Sequence, residues 1–197
     1  MIIKKVIDIC KKFKTMMLYE GKHIQWISDG RAIYPLYGLP RFDEEMLAKT
    51  FDISEEKIAK MTFLHDTELP KDFNFEDYDE DEIICERAWI DFCDGTVTYA
   101  TSEGIAFLRE VHLAPLADIP PDMMTVCERQ NSAGKRYYVV KSGFMLSAVI
   151  MPCDVVDDRM VAKMERITRL CKKELLKKTN LEDETRTDTQ RHGMLFF

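Results

Sequence analysis

One nearly repeated phrase limits how this chain can fold. From Gly134 it reads Gly134-Lys135, an apolar run, Ser142-Gly143, a second apolar run, Pro152, the acidic pair Asp157-Asp158 and then Met160-Val161-Ala162-Lys163. From Gly21 it reads Gly21-Lys22, His23 to Ile27, Asp29-Gly30, Arg31 to Leu39, Pro40, Asp43-Glu44-Glu45 and Met46-Leu47-Ala48-Lys49. Glycine to glycine is nine residues in both copies, and the first glycine to the closing lysine is 28 residues in one and 29 in the other. A fainter third copy begins at Gly95, reaches Gly104 after nine residues and arrives at Pro115 and Asp122-Met123. Apolar runs separated by Asp-Gly, Glu-Gly and Ser-Gly turns read as antiparallel meanders of three strands. The acidic phrase that closes each full copy suits the positive end of a helix.

Taken in order, residues 2–14 predict an amphipathic helix, with Ile2 or Ile3, Val6, Ile7, Cys10 and Phe13 at three- and four-residue steps and lysines between. Strands are expected over Thr15–Tyr19, His23–Ile27 and Arg31–Tyr37, with Pro35 putting the third at an edge or bulge. Short helices follow from Asp43 to Phe51 and from Ser54 to Met61. Residues 62–83 read as an irregular acidic linker or loop, in which Pro70, Phe73, Asn74 and Phe75 precede a run of carboxylates. Alternation returns over Ala88–Phe92, Thr96–Thr101 and Ile105–Leu113, and again over Thr125–Arg129, Arg136–Lys141 and Phe144–Met151. Asp157 to about Lys178 predicts a long amphipathic helix, apolar at Met160, Val161, Met164, Ile167, Leu170, Cys171, Leu175 and Leu176, with Lys172, Lys173, Lys177 and Lys178 at its negative end. The expected class is α+β: one domain over residues 1–178 built from repeats near 1–61, 84–124 and 125–178, then a flexible tail over 179–197.

Several functions find no support in the sequence. The first residues lack a secretory signal, no apolar run nears the ~18 residues of a membrane span, and the six cysteines form no Cys-x-x-Cys pair, so a cytoplasmic, membrane-free protein with reduced thiols is expected. His23, His65, His112 and His192 lie far apart, which leaves no metal site, and no nucleophile elbow or phosphate-binding glycine loop points to catalysis or a cofactor. Asp72-x-Asn74-x-Glu76 opens like a calcium loop, but Asp77 stands where glycine is needed and Ile83 where the bidentate glutamate belongs.

Charge is the better lead. The chain carries a net −7, yet residues 2–14 and 157–178 each sum to +4, which leaves −15 for everything else. Two basic helices in an acidic protein suit contact with phosphates, and the candidate residues are Lys4, Lys5, Lys11, Lys12, Arg166, Arg169, Lys172 and Lys173. If the copies pack with pseudo-symmetry, these helices share one surface. Two protein-binding segments are also expected: Asp77, Asp79, Glu80 and Asp81 as an acidic surface, and Met194-Leu195-Phe196-Phe197 as an apolar peptide that docks in a partner's groove.

Repeated meanders with basic helices in an acidic chain resemble DNA sliding clamps in architecture, which implies clamp-like pseudo-symmetry. The wording of Gln25-Trp26-Ile27-Ser28-Asp29-Gly30-Arg31-Ala32-Ile33-Tyr34-Pro35-Leu36-Tyr37-Gly38-Leu39-Pro40 and of Gly143-Phe144-Met145-Leu146-Ser147-Ala148-Val149-Ile150-Met151-Pro152 is similar to small prophage proteins of Gram-positive anaerobes. The chain's end is similar to aromatic-terminated peptides of bacterial clamp-binding proteins. These resemblances imply a non-catalytic phage or mobile-element accessory protein that binds nucleic acid and a partner from a replication or host defence complex. The alternatives are an anti-CRISPR-like inhibitor of a defence nuclease, acting through its acidic surface, and a structural or assembly module that forms homo-oligomers.

Overall fold

The computed structural model describes residues 1–89, 95–156 and 158–192, with the backbone alone for residues 66, 67 and 178–192. The chain is mixed α+β, with an N-terminal helix, a large and mostly antiparallel sheet, and a C-terminal helix. It divides into two compact units, Met1–Cys153 and Asp154–Phe197, where a single domain over 1–178 was expected.

In the first unit, α1 (Ile3–Phe13) buries Val6, Ile7, Ile9 and Cys10 and keeps Lys4, Lys5, Asp8 and Lys12 exposed. It stops at Lys14, whose left-handed φ of 55° turns the chain directly into β1 (Thr15–Glu20). β2 (Gln25–Ser28) and β3 (Ala32–Pro35) complete the first meander, with Gly30 at φ 87° in the turn between them. Asp43 caps α2 (Glu44–Thr50) by accepting from the Met46 amide at 2.8 Å, a contact that stabilises such a helix by about 1 kcal/mol. After α3 (Glu55–Ile58) the chain enters β4 (Thr62–Glu68), then β5 (Ile83–Cys85), the hairpin of β6 (Thr96–Thr101) and β7 (Gly104–Arg109), and α4 (Glu110–Leu113). β8 (Met124–Gln130), β9 (Arg136–Ser142) and β10 (Met145–Ile150) form the last meander, and α5 (Asp158–His192) is the helix of the second unit.

Eight strands form one sheet in the order β4-β1-β2-β3-β10-β9-β8-β5, so the two meanders meet edge to edge through β3 and β10, while β6 and β7 pair separately. Strand alternation sends side chains to two faces. Met16, Leu18, Ile27, Tyr34, Tyr138, Val140 and Ile150 join the α1 residues in the larger core. Trp26, Tyr137, Val139, Leu146 and Val149 point the other way and are covered by Leu69, Phe73 and Phe75.

Several elements differ from expectation. Residues 62–83 are ordered: β4 pairs in parallel with β1, with Thr15 opposite Thr62, and the rest lies over the sheet. β3 is interior rather than at an edge; Pro35 is tolerated as its last residue, beyond the stretch that pairs with β10. The run Ile105–Leu113 leaves the sheet after Arg109 and becomes helical, which carries His112 into the core. Residues 84–124 contribute β5 to the large sheet and a separate hairpin rather than one three-stranded unit, and the strand expected over Ala88–Phe92 lies partly outside the described residues. α5 continues to His192 through the expected tail, so Lys172, Lys173 and Lys177 sit in mid-helix and not at its negative end.

The displacement of His112 fixes the large core. Asp29 and His112 are 4% and 1% exposed, and His112 Nε2 lies 2.9 Å from Asp29 Oδ2. The amides of Arg31 and Ala32 donate to Asp29 Oδ1, and the Tyr34 hydroxyl donates to the His112 carbonyl at 2.8 Å. Burial raises the Asp29 carboxyl, but His112 and the two amides outweigh it and hold the group below its ordinary value. A depressed carboxyl favours the folded state above its ordinary titration, about 3.9, and that contribution disappears as pH falls through the lower folded value. Urea unfolding across this acid range should show wild-type stability falling. Asp29→Asn should be less stable at neutral pH by about 1–3 kcal/mol and show a shallower loss on acidification.

Candidate nucleic-acid interface and acidic strap

The residues that follow β4 form a strap across the second face of the sheet, and Arg129 on β8 holds it. This guanidinium is 2% exposed. Its Nη1 donates to the carbonyls of Asn74 (3.0 Å) and Glu76 (2.9 Å), and its Nε and Nη2 reach Glu82 Oε2 at 3.0 and 2.6 Å. Lys141 pairs with the other Glu82 oxygen. The Asn74 amide donates to the Tyr137 hydroxyl at 2.9 Å, and the Leu146 amide donates to Asp77 Oδ1 at 2.7 Å. Phe73 stacks edge-on against Tyr137, and Phe75 does the same against Trp26. A carboxylate-rich loop is therefore bound from below by a buried cation and from within by two aromatic rings.

This arrangement separates the four acidic candidates. Asp77 is committed to the Leu146 amide, and Asp79 accepts from Asn74 and from the Asp81 amide. Glu80 and Asp81 are exposed, and their side chains are left for solvent or a partner. Asp77 and Tyr78 of the strap also line a cleft of about 370 Å³, together with Ile84, Thr125, Lys141 and Phe144. Sequence reading missed Arg129; an arginine inside a strand of otherwise alternating character was the available signal.

The basic candidates fall in different units. On α1, Lys4, Lys5 and Lys12 are exposed, Lys11 is half-buried, and Lys5 donates to the Ala114 carbonyl at 3.2 Å. Lys11 Nζ donates to the Phe51 carbonyl at 3.3 Å and lies 3.9 Å from Asp8, so this face is partly satisfied internally. On α5, Arg166, Arg169, Lys172 and Lys173 are exposed and, among the described residues, have no carboxylate within ion-pair distance; Lys177 pairs with Glu174 at 3.0 Å. At about 100° per residue, Arg166, Arg169 and Lys173 share one side of α5, opposite Met160, Met164, Ile167 and Cys171. The Met194–Phe197 peptide lies outside the described residues.

Burial pushes up the thiols of Cys10, Cys85 (to about 11) and Cys127, so none of the three is a thiolate at neutral pH. Among the described residues no group of three His, Cys, Asp or Glu side chains is placed to hold a metal ion, and no helix is long and apolar enough to cross a membrane. Comparison of the chain with known protein families, with curated proteins and with solved structures finds no match.

Removing Arg129 takes the donor from one Glu82 oxygen and from the carbonyls of Asn74 and Glu76. Arg129→Met should destabilise the protein by about 3–5 kcal/mol in denaturant unfolding and raise hydrogen exchange over residues 72–82. Glu80→Gln with Asp81→Asn should change stability by no more than about 0.5 kcal/mol.

Proposed function

We propose that this chain is a non-catalytic accessory protein of phage or mobile-element DNA metabolism, cytoplasmic, that contacts nucleic acid through the basic side of α5 and also binds a protein partner. One observation carries the reading: Arg166, Arg169, Lys172 and Lys173 are exposed and, among the described residues, have no carboxylate within ion-pair distance, in a chain whose net charge is −7. Cations left unpaired in an acidic protein attract phosphates and exchange their counterions for them without reading base sequence. Lys4, Lys5, Lys11 and Lys12 form a lesser contact, because Lys5 and Lys11 already meet carbonyls.

The two meanders joined through β3 and β10 support an origin by internal duplication, with the β6–β7 hairpin as the diverged third copy, and this is the basis of the clamp-like pseudo-symmetry in the proposal. An inhibitor of a defence nuclease that uses Asp77, Asp79, Glu80 and Asp81 has less support, since Asp77 and Asp79 are occupied within the strap.

Fluorescence anisotropy with single- and double-stranded DNA over a salt series tests the proposal. Four phosphate contacts give a slope of log K against log salt of about −3 to −4, and Lys172→Gln with Lys173→Gln should reduce its magnitude by about 2. Absence of binding at low salt would end the reading.

A further inference from the structure

A second cleft, of about 520 Å³, lies along the first half of the strap, within the roughly 300–1,000 Å³ typical of small-molecule sites. Its apolar part is made of rings: Trp26, Tyr37, Phe73 and Phe75 all line it. The Phe75 ring centre lies 5.2 Å from that of Trp26 and 6.2 Å from that of Phe73, so these three brace one another. Tyr37 is 40% exposed and, among the described residues, has no ring packed on it. Charged side chains stand on both sides of the rings. Lys22 and His23, from the turn between β1 and β2, are exposed and form no ion pair among the described residues. Lys71 also lines the cleft but is held by Glu68 at 2.9 Å. Glu76 and Asp77 come from the strap. Burial, and then the carboxylates of Asp77 and Glu76, raise the Tyr37 hydroxyl, so both acids stand near its ring. Asp77 Oδ1 is taken by the Leu146 amide on β10, whereas the Glu76 carboxylate has no partner among the described residues. β3 lies between β2 and β10. The cationic and acidic sides of the cleft are therefore two strand spacings apart, about 10 Å.

We propose that this cleft binds a guanine nucleotide, with the base against Tyr37, its N1–H and N2 amino edge on the Glu76 carboxylate, and its phosphate at Lys22 and His23. A ligand for such a cleft must be flat to lie against a ring, must donate hydrogen bonds at one end and must carry an anion at the other. A nucleotide meets all three conditions. Guanine is the base favoured, because two adjacent N–H donors on one edge match the two oxygens of a single carboxylate. Adenine and cytosine offer one amino group beside a ring nitrogen that accepts, which a carboxylate repels. Uracil offers one N–H between two carbonyls. The same chemistry exists in a free mononucleotide and at the phosphorylated end of a single strand. None of these residues belongs to the basic sets of α1 and α5, so the inference goes beyond the DNA-binding reading and does not depend on it.

Isothermal titration calorimetry of the full chain with guanosine monophosphate (GMP), AMP, UMP and guanosine tests this. GMP should bind, and AMP and UMP should bind about tenfold more weakly or worse. Glu76→Gln should erase the preference for GMP over AMP. Lys22→Gln should weaken GMP several-fold and leave guanosine unchanged, because only the phosphate meets that lysine. Tyr37→Ala should weaken every nucleotide about fivefold or more. All three positions are exposed, so these variants should keep the wild-type unfolding midpoint. A single strand with a 5′-phosphorylated terminal guanine, measured in the Lys172→Gln, Lys173→Gln background, separates the two sources. Binding tighter than that of GMP supports a strand end, and weaker binding supports the free nucleotide. No heat with GMP at millimolar concentration would overturn the proposal, as would a preference for GMP over AMP that survives Glu76→Gln. DNA anisotropy reads the α5 contact separately, so either reading can fail alone.

Discussion

A single buried guanidinium holds the second face of the sheet closed. Without Arg129 the strap would be a chain of carboxylates beside a wall of tyrosine, valine and tryptophan, and would have every electrostatic reason to leave. The planar fork of an arginine suits this position because it serves carbonyls and a carboxylate at the same time, which an ammonium does with less directional control. Taking such a charge out of water is expensive, and Glu82, Asn74 and Glu76 offset that cost together. The strap's acidic side chains then divide by role, since those facing inward complete the network and those facing outward are available for recognition.

The large core depends on a different buried polar pair. Asp29 joins the turn between β2 and β3 to α4 through His112, tying the first meander to the segment that follows the hairpin. Both faces of the sheet are thus organised by a charged residue in an otherwise apolar setting. In each case the residue satisfies backbone groups of a neighbouring segment: the amides of Arg31 and Ala32 at Asp29, and the strap carbonyls of Asn74 and Glu76 at Arg129.

Much of this was legible in the sequence, and the losses have physical causes. The meander strands and the opening and closing helices were readable because their apolar periods are local, and Gly30 and Gly143 mark turns that need positive φ. β4 was not readable, since it gains its partner only across the parallel crossover to β1. Nor was the strap: Phe73 and Phe75 were visible, but their covering role depends on Trp26 and Tyr137, distant in sequence. Among the candidate residues, exposure of the α5 cations followed from helical phase. The internal occupation of Asp77, Asp79, Lys5 and Lys11 did not, because each is engaged by a backbone group from another part of the chain or by a loop conformation.

The two tryptophans occupy opposite surroundings. Trp26 is 4% exposed and lies edge-on to Phe75 beneath the strap, while Trp89 is 77% exposed with the Arg87 guanidinium 4.3 Å from its ring centre. Their emission therefore separates by colour. The bluer indole reports whether the strap is seated, and the redder one, open to aqueous quenchers such as iodide, serves as an internal reference that the same event does not touch.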